Sequence, residues 1–431
     1  MLIWNFAVFL RLQKNFQKKA RMIEYEKFKL DNGLTVIVHI DKSTPIVAMN
    51  ILYNVGAKDE EETLTGFAHL FEHLMFGGSK NIPKYDVPLE RVGGENNAFT
   101  NNDITNYYLS LPKENIETAF WIESDRMLDL AFSKKSLDVQ KNVVIEEYKQ
   151  RYLNQPYGDV WLKLRPMAYK VHPYRWATIG KDISHIEKAQ MQDVKDFYKK
   201  FYNPNNAIMV IAGDVEIPEI KRLCEKWFAP ISSGNIYNRN ILQEPEQSEK
   251  RICEVQAKVP SNAIYKVFHI PGRQNTAYYI NDLTSDILSN GKSSRLYQNL
   301  VQKKQIFTNV QAFISGDFDP GLFVIAGFLN DNIAFSEAEK YLWDELESIK
   351  TKLFDSEIEK VKTKLESNFV FGEINLLERA MNLASFELLG SADLYNQEVS
   401  KYKNVTGTQI LQNAQSIFTE NNSSTLYYQK I

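Results

Sequence analysis

At 431 residues, with 44% hydrophobic and 12% aromatic content, the chain is long enough for two or three domains with full cores. Its 51 basic and 54 acidic residues nearly cancel to a net charge of −3, and no basic run is interleaved with aromatics, which excludes the usual nucleic-acid footprint. Two cysteines, Cys224 and Cys253, are too few for a disulfide framework and read as ordinary thiols.

The stretch Leu2 to Leu10 is mostly apolar but far too short to span a bilayer. Arg11, Lys14, Lys18, Lys19 and Arg21 follow it, the reverse of the order a secretory signal needs. Residues 1–22 are expected to be a leader or an over-called start. No membrane span is expected, and a cytoplasmic protein is favoured, with an exported or periplasmic one as the alternative. From Leu30 to Val38, Asn32-Gly33 lies between apolar runs and predicts a β-hairpin.

His69-Leu70-Phe71-Glu72-His73 places two of the chain's six histidines four residues apart, with a glutamate just before the second. On a helix, residues at i and i+4 share a face, so both imidazoles can reach one metal ion. Glu72 leans over the same face. This H-x-x-E-H order marks the inverzincins. Two imidazoles and a carboxylate leave zinc one position for water, and a free carboxylate beside it can take the water's proton. Gly77-Gly78 is expected to end the helix.

A third protein ligand must come from another element. Ser136 to Lys149 is the best candidate, with Ser136 expected as the cap and Leu137, Val144, Tyr148 and Tyr152 as the buried stripe. Gln140 and Glu147, seven apart, share a face, whereas Glu146 points about 100° away from Glu147. Periodicity alone leaves both glutamates open.

The two segments together resemble the pitrilysin, or M16, metallopeptidase family, on the short branch that includes mitochondrial processing peptidase. That family pairs H-x-x-E-H with a helix E-R-x-V-V-x-x-E, whose last Glu is the ligand. The resemblance covers Gln140 to Glu147 and implies Glu147 as the ligand, with Glu72 as the base. Gln140 stands where the family has a Glu that orients a ligand histidine, and its carbonyl can still accept an imidazole N–H. Gly93 to Thr100 resembles the family's edge strand, implying that Asn97, Ala98, Phe99 and Thr100 bind substrate, with Thr105, Tyr107 and Tyr108 on the next strand. Phe201 to Asp214 is a further likeness.

The second half repeats the first. Ala189 to Phe201 and Thr406 to Phe418 are both helix patterns ending in Phe, each followed by an Asn-rich turn and a strand, at a constant offset of 217 residues. The same offset carries His69–His73 onto Asp286–Asn290, which cannot hold zinc in that way. The expected organisation is residues 23–232 as the zinc-binding catalytic domain, 233–250 as linker and 251–431 as a non-catalytic domain of similar fold. The fold class expected is α+β, each domain a mostly antiparallel sheet packed with helices, together forming half of a clamshell.

Family members also use an Arg and a Tyr in a pattern L-R-x-x-x-x-x-x-Y to hold substrate and oxyanion. Here those positions hold Val301 and Thr308, while Arg295 and Tyr297 lie nearby at the wrong spacing. The resemblance thus implies a zinc-dependent endopeptidase acting on extended peptides, with one Zn2+ per chain. A homologous partner would supply the Arg/Tyr pair in a heterodimer, with a homodimer as the alternative. A non-catalytic structural or interaction subunit is the competing reading.

Overall fold

The structure, a computed structural model, describes residues 22–431, so expectations for residues 1–21 lie outside it. The first half contributes strands β1 (Glu26–Lys29), β2 (Thr35–Ile40), β3 (Ile46–Tyr53), β4 (Glu95–Thr100), β5 (Thr105–Pro112) and β6 (Ala207–Gly213). They form one sheet in the order β1-β2-β6-β3-β5-β4. The second half contributes β7 (Arg251–Ala257), β8 (Ala263–Ile270), β9 (Phe307–Ile314), β10 (Gly321–Leu329) and β11 (Ser423–Lys430), ordered β7-β11-β8-β10-β9. In each sheet one pair is parallel, β2 with β6 and β7 with β11, and the rest are antiparallel. The architecture is α+β with two similar halves, as the sequence predicts. The predicted hairpin is the β1–β2 turn, where Gly33 takes φ +93°, a conformation that favours glycine.

The repeat extends to the strands of the two sheets. Advancing β3 by 217 residues gives Ala263–Ile270, the bounds of β8, and advancing β6 gives Ser424–Lys430, within β11. The helices that matter here are α1 (Phe67–Leu74), α2 (Lys134–Tyr148), α3 (Val160–Ala168), α4 (Met191–Phe201), α5 (Ala277–Ser289), α6 (Asp355–Gly372), α7 (Leu376–Leu388) and α8 (Gly407–Ile417). The predicted pair of repeated helices is α4 and α8.

Strand β3 alternates between two cores because successive side chains point to opposite faces. Val47, Met49, Ile51 and Tyr53 join Leu70, Phe71 and Leu74 of α1 on the front. Ala48 and Leu52 join Ala380, Leu383 and Ala384 on the back. That back cover is α7, which belongs to the second half. Reciprocally, Val160, Leu164 and Ala168 of α3 pack against Ala263, Val267, Val324 and Leu426 of the second sheet. Each half therefore lends a helix to the other's sheet.

Residues 232–249 carry no regular secondary structure but are pinned along their length. Arg239 pairs with Asp59, Glu244 accepts backbone N–H bonds from Lys170, Val171 and His172, and Gln247 donates to Ser423 O. Among the described residues, no helix is long and apolar enough to cross a membrane.

Candidate metal centre

Helix α1 begins at Gly66, whose φ of +87° and close approach to Ile179 O leave no room for a Cβ. No side chain at the cap satisfies the first N–H groups. The buried carboxylate of Glu60 does so from the preceding loop, accepting from Gly66 N and Ala68 N, both at 2.8 Å. The helix stops at Leu74, earlier than the predicted glycine end, and Gly77 N closes the turn onto Leu74 O.

Glu147 is brought to α1 by helix α2. The predicted cap at Ser136 is corrected: Ser133 is the cap, and its hydroxyl accepts from Ser136 N at 3.0 Å. Ser133 has the extended backbone that a cap needs (φ −103°, ψ 146°), whereas Ser136 already lies inside the helix. Of the two glutamates left open by periodicity, Glu146 is exposed and pairs with Lys149, whereas Glu147 turns inward.

His69, His73 and Glu147 converge, each offering one donor atom within 4.8 Å of the others. Glu147 Oε2 lies 3.6 Å from His69 Nε2 and 3.4 Å from His73 Nε2. A tetrahedral zinc with bonds of roughly 2.0–2.2 Å requires donors roughly 3.3–3.6 Å apart. Burial holds the His69 imidazole down at about 4, so it is neutral and has a lone pair for a metal at neutral pH. Glu147 is held below the usual carboxylate range by His73, with His69 and Arg151 adding to the effect. The donor set and its spacing fit zinc.

Glu72 sits on the same helix face, outside the three donors. Burial raises its carboxyl above the ordinary value, opposed by Thr100 and His73. The Thr100 hydroxyl lies close to it but makes no well-formed hydrogen bond. A carboxylate shifted upward and next to a metal position is suited to proton transfer.

Asn97, Ala98, Phe99 and Thr100 lie on β4, the sheet's edge among the described residues, where β4 pairs with β5 alone. Ala98 packs inward, while Phe99 is 38% exposed. The contact implied from Gln140 is not made. Among the described residues, Gln140 is half-buried without a hydrogen-bond partner, and His69 Nδ1 is buried without one. Two contributors were missed by the sequence reading. Glu60 gives no short-range signal, but Arg151 stands four residues after Glu147, a spacing that faces it on a helix.

The equivalent place in the second half is filled differently. Advancing His69, His73 and Glu147 by 217 gives Asp286, Asn290 and Lys364. Asn290 donates to Asp286 at 2.7 Å, and the Lys364 ammonium contacts Asn290 Oδ1. A cationic side chain thus stands among groups that correspond to metal donors. Arg295 is tied to Glu357 and the Lys352 carbonyl, and Tyr297 to Gln302, so both are engaged within their own half.

Residues 35–179 match the family described as Insulinase (Peptidase family M16), and residues 188–365 match the one described as Peptidase M16 inactive domain. The chain is 27% identical to the zinc protease PqqE of Helicobacter pylori, over 84% of this chain and 83% of that protein. It is also 27% identical to the beta subunit of the mitochondrial-processing peptidase of Saccharomyces cerevisiae, over 47% of this chain and 44% of the subunit. Among solved structures, a protease from Helicobacter pylori superposes with a TM-score of 0.88 at 26% identity, covering 94% of this chain and 99% of that one. Pitrilysin superposes with a TM-score of 0.75 at 18% identity, covering 96% of this chain but 46% of its own length.

Proposed function

The chain belongs to the M16 peptidase family, and on that premise we propose that it is a zinc-dependent endopeptidase for extended or unfolded peptides. The convergence of His69, His73 and Glu147 carries this reading. These three would hold one Zn2+, with residues 23–232 as the catalytic domain and 251–431 as its non-catalytic counterpart. When bound, zinc would polarise the scissile carbonyl and acidify a water. Glu72 takes the proton from that water as it adds to the carbonyl carbon, then passes it to the amine nitrogen as the C–N bond breaks. The open edge at Asn97–Thr100 adds the substrate backbone as a further strand, which selects extended chains.

Val301 and Thr308 leave this chain without an Arg/Tyr pair, and Arg295 is occupied by Glu357. We therefore place the chain as the zinc-bearing member of a two-subunit enzyme whose homologous partner supplies those groups. Full activity of a homodimer alone would remove the need for that partner.

The test is hydrolysis of a quenched-fluorescence peptide library, with and without chelator, beside Glu72→Gln. The variant should retain one zinc and lose about 10²–10⁴-fold in turnover. Undiminished cleavage by the variant would overturn the assignment of the base.

A further inference from the structure

We infer that Arg151 is the positioning residue for Glu147, holding that carboxylate in its metal-binding orientation. The inference rests on reading His69, His73 and Glu147 as zinc ligands.

The Glu147 carboxylate is divided between two neighbours. Oε2 faces the two imidazoles, at 3.4 and 3.6 Å. Oε1 is 2.9 Å from Arg151 Nη1. Fixing Oε1 from behind sets the rotation of the whole group, so Oε2 is presented forward. Among the described residues, this is the one polar side-chain contact reaching the three donors from outside them: Gln140 makes no hydrogen bond, and His69 Nδ1 has no partner.

The backbone supports this contact. Beyond Tyr148 the α-helix continues as a π-helical turn, Lys149–Leu153, which carries Arg151. Such turns are uncommon and concentrate at functional sites. The Arg151 side chain is 70% exposed, whereas that of Glu147 is only 18% exposed. An exposed arginine paired in this way adds little to fold stability. Its removal should therefore act on the carboxylate and leave the core alone.

Two physical effects oppose each other. A cation near a divalent ion repels it, so charge alone predicts tighter metal binding when Arg151 is removed. Orientation predicts weaker binding, because an untethered glutamate must lose side-chain freedom to coordinate. The exposed guanidinium is well screened, so orientation should win. Loss of such a support typically weakens metal affinity about 10–100-fold.

The experiment is competition for zinc between the full chain and a chromogenic chelator, with no substrate present. Arg151→Met should bind zinc about 10–100-fold more weakly, and Arg151→Lys should fall between it and wild type. Lys149→Met removes a cation from the same turn, one that pairs with Glu146 instead, and should match wild type. Thermal melts establish that each variant is folded, and Arg151→Lys keeps the comparison open if Arg151→Met is not. With zinc saturating, kcat should fall in Arg151→Met while KM stays constant. Wild-type or tighter zinc affinity in Arg151→Met would overturn the inference, as would equal weakening by Lys149→Met. Because the affinity readout needs no turnover, a zinc-binding chain that cleaves nothing would sink the peptidase reading and leave this result standing. A wild-type chain that takes up no zinc would sink both.

Discussion

Glu60 shows how one side chain outside the donor set holds the metal-site helix in place. It is 7% exposed, yet it accepts two backbone N–H groups at the start of α1. Burial pushes its pKa up to about 8, against the pull of the Ala68 and Gly66 amides. A folded-state value above the ordinary one means the folded chain binds this proton more tightly than the unfolded chain. The group's contribution to stability is thus complete below about pH 4.5 and is lost as pH rises through about 8. Melting temperatures of wild type and Glu60→Gln, compared from pH 5 to 8.5, should show wild type losing ground as pH rises. A gap that stays constant across that range would refute the raised pKa. Truncation is harsher: Glu60→Ala strands two buried N–H groups and should cost about 2–4 kcal/mol in chemical denaturation.

Among the elements, α2 was legible in outline and misread at its start. Leu137, Val144 and Tyr148 of its predicted stripe are buried, whereas Tyr152 is half-buried in the π-helical turn that follows the helix. The cap, however, is Ser133, since two serines three residues apart both satisfy the sequence rule and only the backbone turn separates them. Ser133→Ala should cost about 1 kcal/mol, while Ser136→Ala should stay within about 0.5 kcal/mol. Urea denaturation of the two variants checks this, and equal losses would contradict the assigned cap. The edge strand β4 was recognised from its resemblance, and its open edge follows from the strand order, with β5 on one side only.

For the whole molecule, the exchange of α3 and α7 binds the two halves into one body. Leu164 and Leu383 are fully buried, each in the sheet of the opposite half. Either truncation to alanine should cost about 2–5 kcal/mol. The location of the damage is the sharper readout. Leu383→Ala should speed amide hydrogen exchange in β3 and β6 of the first sheet, although residue 383 lies in the second half. Acceleration confined to the second sheet would contradict the exchange.

The sequence by itself determined what depends on spacing within a single element. The H-x-x-E-H order puts His69, Glu72 and His73 on one helix face, whatever surrounds it. The strand alternation and the Asn32-Gly33 turn are equally local, and the repeat at 217 residues is legible because it compares one such local pattern with another. Periodicity leaves both glutamates of α2 open and the resemblance implies Glu147, but tertiary structure alone decided that Arg151 contacts Glu147, that Gln140 reaches no imidazole, that Glu60 caps α1 from a loop, and that the halves trade helices. These depend on how two elements cross and on which rotamer their contact allows, and no periodicity within one element contains that information.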